Sequence, residues 1–392
     1  MSKPSHLMQN YGRTDISFTH GEGSFLFDTR GKRYLDAISG IAVNALGHAH
    51  PGFTQAVQQQ VAKLVHVSNL YQVPEQTKLA SVLCKRSGMQ QVFFCNSGAE
   101  SIEAAIKIAR KFGSKSGIKK PKIIVTEGAF HGRTMGALAA THSPKYQEGF
   151  TPMLEGFVRV PYNDVPAAKA ALEKHSDIVA ILVEPAQGEG GVRKPAADYL
   201  NQLRALCDAH GTLLMLDEVQ TGNGRSGKWF AYQYNGILPD VLSTAKGLGN
   251  GFPIGATLVA GKAADILQPG HHGSTFGGSP LASAAGLAVY AALDKEKLLQ
   301  NASKRGKQIQ QGLAKALKGV AGLREIRGLG LLIGVELDRP CGELVARARD
   351  KGLLLNVAAG SVIRLAPPLI LTEEEAAFIV DVVSTIVKEF MA

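Results

Sequence analysis

Cysteine is scarce in this chain. Cys84, Cys95, Cys207 and Cys341 are the four cysteines among 392 residues, and no two of them form a Cys-x-x-Cys pair. Wide spacing of this kind is typical of reduced, mostly structural thiols in a cytosolic protein.

Long apolar runs are also absent from the sequence. No run approaches the roughly 20 apolar residues that a membrane-spanning helix needs, and the first residues lack the apolar core of a signal peptide. We therefore expect a soluble, cytoplasmic protein without a membrane partner.

Charge is moderate and shows no concentration of one sign. Charged residues make up 19% of the chain and hydrophobic residues 45%, as in an ordinary globular enzyme. The net charge of +10 comes from lysines and arginines that are scattered along the chain. Scattered charge does not favour nucleic acid, and a non-catalytic module for basic-patch partners is the weakest alternative. Small anionic substrates would suit the same excess.

Metal-ligand clusters are lacking as well. His48 and His50 are one residue apart, but no further cysteine, histidine or carboxylate cluster joins them nearby. We expect structural or helix-entry roles for both histidines and no metal site.

Apolar strands alternate with helical patterns from about Phe53 to Ser283, which predicts a doubly wound α/β domain with a mostly parallel sheet. The expected strands are Gln91–Cys95, Lys122–Thr126, Phe157–Val160, Ile178–Val183, Leu213–Leu216, Val241–Ser243 and Ile254–Val259. A smaller α+β unit follows. We divide the chain into residues 1–50 (an N-terminal segment of the small domain), 51–285 (the large domain) and 286–392 (the C-terminal small domain).

Two of these strands end at opposite charges. Leu213–Leu216 runs into Asp217, and Lys246 stands just after Val241–Ser243. The carboxyl ends of parallel strands are where open α/β sheets bind ligands. A lysine in apolar surroundings can attack a carbonyl, and a buried carboxylate can keep a pyridinium nitrogen protonated, so the pair suits pyridoxal phosphate chemistry. On these residues alone, an ion pair at a sheet edge is nearly as good an interpretation.

Further motifs follow other strands. Ser97 fits a helix N-cap, with Glu100 completing a capping box and Gly98 allowing close approach, which favours a phosphate site. Phe130 could stack on a flat ring, and Arg133 could bind a carboxylate. Weaker candidates are the acids Glu184 and Glu189 of a glycine-rich loop, the hydroxyls Ser274 and Thr275 of a second loop, and Arg364 on a late strand.

One motif favours a different class of enzyme. Residues 222–227 match Gly-x-Gly-x-x-Gly after a strand, as in a nicotinamide-dependent dehydrogenase. No clear small-residue helix follows, and no strand ending in an acid comes about 20 residues later, so we interpret this segment as a loop.

Taken together, the stretches 96–100, 216–222 and 243–247 resemble the class III (ω-amino acid) aminotransferases of pyridoxal phosphate fold type I. The resemblance covers the chain from about Ser24 to its last helix. Within the class, residues 39–48 and 130–134 look most like the acetylornithine aminotransferases. The ornithine aminotransferases carry a substrate-binding tyrosine around Gly40-Ile41, and its absence here suggests room for an acylated α-amine.

The resemblance implies pyridoxal 5'-phosphate as cofactor and a homodimer with shared active sites. Lys246 would hold the cofactor covalently and move a proton between substrate and cofactor, and Asp217 would pair with the pyridine nitrogen. The other implied cofactor contacts are Phe130 and Val219 on the ring faces, Gln220 on the phenolic oxygen, Ser97, Gly98 and Ala99 on the phosphate, and Thr275 reaching in from the other subunit.

The resemblance also implies the substrate contacts. Arg133 and Arg364 would bind substrate carboxylates, and Glu189 would mask Arg364 when the substrate has only one. Glu184 would support the site near Gln187 and Arg364, and Ser274 would lie near the substrate. The expected reaction is a ping-pong transfer of the terminal amine of N2-acetylornithine to 2-oxoglutarate in arginine biosynthesis. Succinylornithine or N-succinyl-diaminopimelate aminotransferase stays open, and glutamate semialdehyde aminomutase is a less favoured alternative.

Overall fold

The structure, a computed structural model, describes residues 6–392. The polar sequence of residues 1–20 predicts an irregular N-terminal segment, and the first five of these residues lie outside the described range. The strands are β1 (Phe18–Glu22), β2 (Phe25–Asp28), β3 (Arg33–Asp36), β4 (Gln91–Cys95), β5 (Lys122–Thr126), β6 (Phe157–Val160), β7 (Ile178–Val183), β8 (Leu213–Asp217), β9 (Val241–Thr244), β10 (Gly255–Val259), β11 (Leu323–Leu329), β12 (Leu332–Leu337), β13 (Leu353–Leu354), β14 (Asn356–Ala358) and β15 (Val362–Leu365).

The helices cover the sheets and separate successive strands. They are α1 (Ser39–Ala42), α2 (Pro51–Lys63), α3 (Pro74–Ser87), α4 (Gly98–Lys115), α5 (Met135–Ala140), α6 (Pro144–Gln147), α7 (Val165–Lys174), α8 (Tyr199–His210), α9 (Pro280–Lys295), α10 (Leu298–Ala316), α11 (Leu344–Asp350) and α12 (Glu373–Met391). α1 is a single irregular turn in which Gly40 and Ile41 have φ values of 61° and 67°.

The central sheet has seven strands in the order β4-β10-β9-β8-β7-β5-β6. The pairs β9–β8, β8–β7, β7–β5 and β5–β6 are parallel, whereas β10 is antiparallel to both of its neighbours. The prediction of a large α/β domain built on a mixed, mostly parallel sheet is confirmed.

Apolar side chains on both faces hold this sheet between two layers. Leu214 and Leu216 of β8 point into one hydrophobic cluster, while Leu213 and Met215 point into the other, because successive side chains of a strand alternate. All four are fully or nearly fully buried. Burial on both faces explains why these strands are continuous apolar runs.

The arrangement of the central sheet brings several strand ends to one edge. β8 ends at Asp217, which is paired with Ser243 of β9, so Asp217 and Lys246 emerge beside each other. β4 ends at Cys95 opposite Gly255, where β10 begins, so the start of α4 lies at the same edge.

Two four-stranded sheets complete the fold. One has the order β1-β2-β3-β13, and the parallel pairing of Leu35 with Leu353 joins the N-terminal strands to the C-terminal part of the chain. The other has the order β11-β12-β15-β14. The three-segment division of the chain stays a prediction.

Local predictions differ from the structure in a few places. The expected irregular segment 1–20 is wrong at its end, because β1 begins at Phe18. The helical patterns of the sequence predict helices at the positions of α2, α3, α4, α7, α8, α9, α10 and α12, so α1, α5, α6 and α11 are additional. The prediction of a loop at 222–227 is confirmed, since this segment forms consecutive turns. His50 accepts a hydrogen bond from the Phe53 amide as the N-cap of α2. Within residues 6–392, no helix has the length and apolar character needed to cross a bilayer.

Candidate active site

A cavity of about 390 Å³ opens where the central strands end. Most of the side chains singled out in the sequence line it. These are Ser97, Gly98, Ala99, Phe130, Arg133, Glu184, Glu189, Asp217, Val219, Gln220 and Lys246. Arg364, Ser274 and Thr275 lie outside the lining.

Asp217 is held rigidly at the bottom of this cavity. It is 4% exposed, its Oδ1 accepts the Val219 amide at 3.0 Å, and its Oδ2 is 2.7 Å from His131 Nδ1. Burial acts to lower the pKa of His131, but the hydrogen bond and charge of Asp217 outweigh it and raise that pKa. A protonated His131 would leave the carboxylate ionised and fixed in orientation.

Lys246 follows β9 and is partly buried in the cavity wall. Its backbone has a φ of 45°, a left-handed conformation that side-chain-bearing residues rarely adopt. Burial lowers the pKa of its ammonium group, with Arg364 acting in the same direction and Glu189 opposing. A lowered pKa increases the fraction of neutral amine, the form that can act as nucleophile or base.

The first turn of α4 faces the cavity, and its leading backbone amides have no hydrogen-bond partner within the described residues. Ser97 caps the helix by accepting the Glu100 amide at 3.2 Å, as predicted. The reciprocal half of the capping box is wrong, because the Glu100 carboxylate accepts the Asn96 amide instead of that of Ser97. Gly98 is needed here, since a Cβ would lie 2.7 Å from Val219 Cγ1. The free amides and the helix dipole make this turn suitable for a phosphate.

Glu184 supports the site through the backbone. Its carboxylate accepts the Phe130 amide at 3.0 Å and the Gly188 amide at 3.2 Å. Burial raises the pKa of Glu184 to about 7, although the neighbouring His131 acts to lower it. The structure thus gives Glu184 two backbone partners, and its support of the site near Gln187 and Arg364 stays a prediction.

Arg133 lies at the cavity mouth and is exposed. Its guanidinium stacks on the Tyr146 ring at 3.6 Å from the centroid and is 5.6 Å from that of Phe130. Tyr146 also meets Phe130 edge to face. Stacking leaves the edge of the guanidinium available to a carboxylate.

A second arginine lies behind the cavity wall. Arg364 is 2% exposed, donates to Glu189 through Nη1 and to Asn356 Oδ1 through Nε at 3.2 Å. Glu189 itself lines the cavity. The pair therefore presents an acid that would have to turn away before a substrate carboxylate could reach Arg364.

The second hydroxyl-bearing loop is peripheral. Ser274 Oγ accepts the Asn96 side-chain amide at 3.2 Å, which ties the loop to the start of α4. Thr275 is exposed and does not line the cavity of its own chain.

His131 and Asn96 were not selected from the sequence. His131 lies between Phe130 and Gly132 in a loop, and only the folded chain brings it to Asp217, 86 positions away. Its Nε2 is buried and has no hydrogen-bond partner within the described residues. A histidine next to a candidate ring-stacking residue was the only available signal.

Comparison with known proteins agrees with this arrangement. The model of the class-III aminotransferase family matches residues 7–387. The chain is 52% identical to acetylornithine aminotransferase 1 of Bordetella bronchiseptica over 388 residues, covering 99% of both proteins.

Solved structures give the same answer. The ornithine aminotransferase of Toxoplasma gondii has a TM-score of 0.95 at 33% identity, with 98% of this chain and 93% of that chain covered. The acetylornithine aminotransferase of Elizabethkingia anophelis has a TM-score of 0.87 at 35% identity, with 98% and 97% covered. Because the family model and these relatives span almost the whole chain, the chain belongs to the class-III aminotransferases.

Proposed function

We propose that this enzyme transfers the terminal amino group of N2-acetylornithine to 2-oxoglutarate, giving N-acetylglutamate 5-semialdehyde and glutamate, a step of arginine biosynthesis. The observation that carries the proposal is a cavity with Arg133 exposed at its mouth and a second arginine, Arg364, behind its wall and paired with the cavity-lining Glu189. The name of the Bordetella bronchiseptica relative supports the choice of amino donor.

The cavity fits pyridoxal phosphate as cofactor. Lys246 would hold it covalently, Asp217 would pair with its ring nitrogen, and the first turn of α4 would bind its phosphate. Gln220 lines the cavity with a buried Oε1 that has no hydrogen-bond partner within the described residues, and the NH2 of the same amide would donate to the phenolic oxygen. Gly188 leaves space for that side chain, since a Cβ there would lie 1.9 Å from Gln220 Oε1. When bound, the cofactor supplies an electron sink for the charge that develops on the substrate carbon.

The chain's own groups supply the acid, base and charge. Lys246, whose ammonium pKa is lowered, would take the proton from the substrate carbon and deliver it to the cofactor carbon that receives the amine. Asp217, fixed by the Val219 amide and by His131, would keep a negative charge beside the ring nitrogen. Phe130 and Val219 both line the cavity and would hold the ring between them.

Two different substrates would use the same cavity in turn. N2-acetylornithine has one carboxylate, which would bind Arg133 while Glu189 neutralises Arg364. 2-Oxoglutarate has two, and the second would displace Glu189 to reach Arg364. The resemblance places the substrate-binding tyrosine of the ornithine aminotransferases around Gly40-Ile41, and the absence of a tyrosine here, where Ile41 is exposed, would leave room for the acetyl group.

A homodimer is part of this proposal. Thr275 is exposed, and the large apolar side chains Leu70, Tyr71 and Phe276 are 87%, 70% and 63% exposed in the single chain. A second copy packed here would bury them and bring Thr275 to the neighbouring phosphate site. Light scattering should give twice the chain mass. A cytoplasmic location stays a prediction, which cell fractionation would test.

The test is a steady-state assay in which both substrates are varied and glutamate is measured. We expect parallel double-reciprocal lines, as in a ping-pong mechanism, and faster turnover of N2-acetylornithine than of ornithine. N-succinylornithine and N-succinyl-diaminopimelate serve as the matched acyl substrates. Higher kcat/KM with ornithine, or turnover without an added amino acceptor, would contradict the proposal.

A further inference from the structure

The loop that carries Glu189 has a strained conformation. It is closed at its base by two backbone hydrogen bonds, Gln187 to Arg193 at 3.0 Å and Arg193 to Gln187 at 2.9 Å. Immediately before the closing residue Arg193, Val192 has a φ of 52°. A β-branched residue in the left-handed region is a genuine outlier that the surrounding structure must enforce.

Arg327 on β11 supplies that enforcement. Its Nε donates to the Val192 carbonyl at 2.9 Å, and its Nη2 donates to the Gly191 carbonyl at 2.6 Å. Its Nη1 donates to the carboxylates of Glu325 and Glu336. The side chain is only 10% exposed. The planar guanidinium thus divides its donors between the loop backbone and two acids that fix its own position.

Arg327 and Arg364 lie in one row across the sheet. Arg327 pairs with Gly334, and Gly334 pairs with Arg364, so all three occupy the same face. Gly334 leaves a gap between the two arginines, which Val192 fills: a Cβ at Gly334 would lie 2.9 Å from that of Val192. Val192 also joins a small buried cluster with Leu332.

We infer that Arg327 is a positioning residue for substrate selection: it holds the 187–193 loop so that Glu189 reaches Arg364. The strained end of the loop is bonded to Arg327 on β11, which lies two strands from the strand that carries Arg364. This attachment sets the distance between the Glu189 carboxylate and the Arg364 guanidinium. Without Arg327, the loop is free to relax, and Glu189 neutralises Arg364 less completely. A dicarboxylate then meets less competition, while a monocarboxylate substrate loses its neutral surroundings. The inference rests on the proposed function, in which this pair discriminates between the two substrates.

Glutarate, a five-carbon dicarboxylate with no amine or keto group, is the probe. We would measure its dissociation constant on the holoenzyme by calorimetry for the wild type, Glu189→Ala, Arg327→Met and the double variant. We expect about tenfold tighter binding for Glu189→Ala and about threefold tighter binding for Arg327→Met. The double variant should bind no tighter than Glu189→Ala alone, because Arg327 acts through Glu189.

Two further variants serve as controls. Glu325→Gln removes a largely exposed acid from Arg327 but leaves both bonds to the loop, so glutarate affinity should be unchanged. Arg327→Lys keeps the positive charge but lacks the planar guanidinium that donates to both loop carbonyls. Its glutarate dissociation constant should lie between those of the wild type and Arg327→Met. It also carries the test if Arg327→Met does not fold. The ratio of kcat/KM for N2-acetylornithine to kcat/KM for glutamate should fall most for Glu189→Ala, less for Arg327→Met and least for Arg327→Lys.

The outcomes separate the inference from the proposed function. If Glu189→Ala leaves glutarate affinity unchanged, the masking of Arg364, and with it the proposed function, is wrong. If Glu189→Ala tightens binding and neither Arg327 variant does, the role of Arg327 is wrong. Weaker glutarate binding in the Arg327 variants, or an additional effect in the double variant, would indicate a general structural role and also overturn the inference.

Discussion

The two ends of the cavity are built differently. At the Asp217 end, the carboxylate is buried and both of its oxygens are bonded, one to a backbone amide and one to His131. At the Arg364 end, the buried guanidinium is paired with Glu189, whose side chain is 28% exposed. The Asp217 carboxylate is therefore held by a backbone amide and a buried histidine, whereas the Arg364 guanidinium is held by an acid on a loop that lines the cavity.

This difference matches what each end has to do. In the proposed reaction the charge of Asp217 would be needed in both half-reactions, so a preorganised arrangement is advantageous. The second carboxylate site is needed for only one of the two substrates, so a partner that can be displaced is required. We expect substitutions at the Asp217 end to affect both substrates equally and substitutions at the Arg364 end to separate them.

Removal of Lys246 should have the largest effect, because both half-reactions depend on it. Lys246→Ala should lower kcat for transamination on the order of 10⁴-fold, as expected for loss of an essential general base. Circular dichroism should show an intact fold. Substantial residual turnover in a folded protein would refute the assignment of Lys246.

Loss of the fixed charge should come next. Asp217→Asn should lower the rates of both half-reactions on the order of 10²-fold, the scale of a lost preorganised electrostatic group. Asp240→Asn is a matched control. It changes a buried acid that lies just before β9 and accepts hydrogen bonds from Arg204 and from the Leu214 amide. Asp240→Asn should lower the stability of the protein and leave the rates of both half-reactions unchanged. A variant of Asp217 that slows only one half-reaction would contradict the comparison.

Neutralising the movable acid should separate the substrates. Glu189→Ala should lower kcat/KM for N2-acetylornithine by about tenfold, because Arg364 keeps an uncompensated charge. Glutamate should be affected much less, since it brings its own second carboxylate. Single-turnover measurements of each half-reaction test this. Equal effects on both would refute the switch.

Arg133 should behave as a shared anchor with a smaller effect. Arg133→Ala should raise KM for both substrates by several-fold, on the order of one charge-assisted hydrogen bond at an exposed position. Tyr146→Leu is the companion variant, which removes the stacked ring but keeps the guanidinium. It should raise both KM values less. KM values unchanged by Arg133→Ala count against its role.

The smallest expected effect is on stability and concerns the support beneath Asp217. Glu218 accepts hydrogen bonds from Thr221 and from the Ala231 and Tyr232 amides, yet burial raises its pKa to about 7 from 4.5. The folded protein then keeps a proton that the unfolded chain releases. The free energy of unfolding from this group is therefore largest below pH 4.5 and falls as pH rises to about 7.

Denaturation of the wild type and Glu218→Gln at pH 5 and pH 7 measures this. The stability advantage of the wild type should be greater at pH 5 by on the order of 1–3 kcal/mol. An advantage that grows toward pH 7 would show that the carboxylate is held ionised.

Much of the central sheet could be predicted from the sequence. Strands such as Ile178–Val183 and Leu213–Asp217 are continuous apolar runs because both of their faces are buried, and this pattern is visible without the fold. β1 was missed because Phe18–Glu22 is mostly exposed and carries no apolar alternation. α11, a helix of seven residues, is too short for a clear period.

The site could be predicted where a side chain directly follows a strand or opens a helix. Asp217, Lys246 and Ser97 have such positions, and the cavity contains all three. His131 and Arg327 could not be selected, because their importance comes from contacts with residues far away along the chain. Arg327 in particular depends on strand register, which sets it beside Gly334 and Arg364.

The visible spectrum of the purified holoenzyme tests the central claim most directly. We expect an absorbance band from the Lys246-bound cofactor that bleaches on addition of N2-acetylornithine and returns with 2-oxoglutarate. Lys246→Ala supplied with cofactor is the control and should lack this band. A band that bleaches only with another amine would keep the chemistry and refute the substrate. No band in the wild type, even after pyridoxal phosphate is supplied, would contradict the account of Lys246.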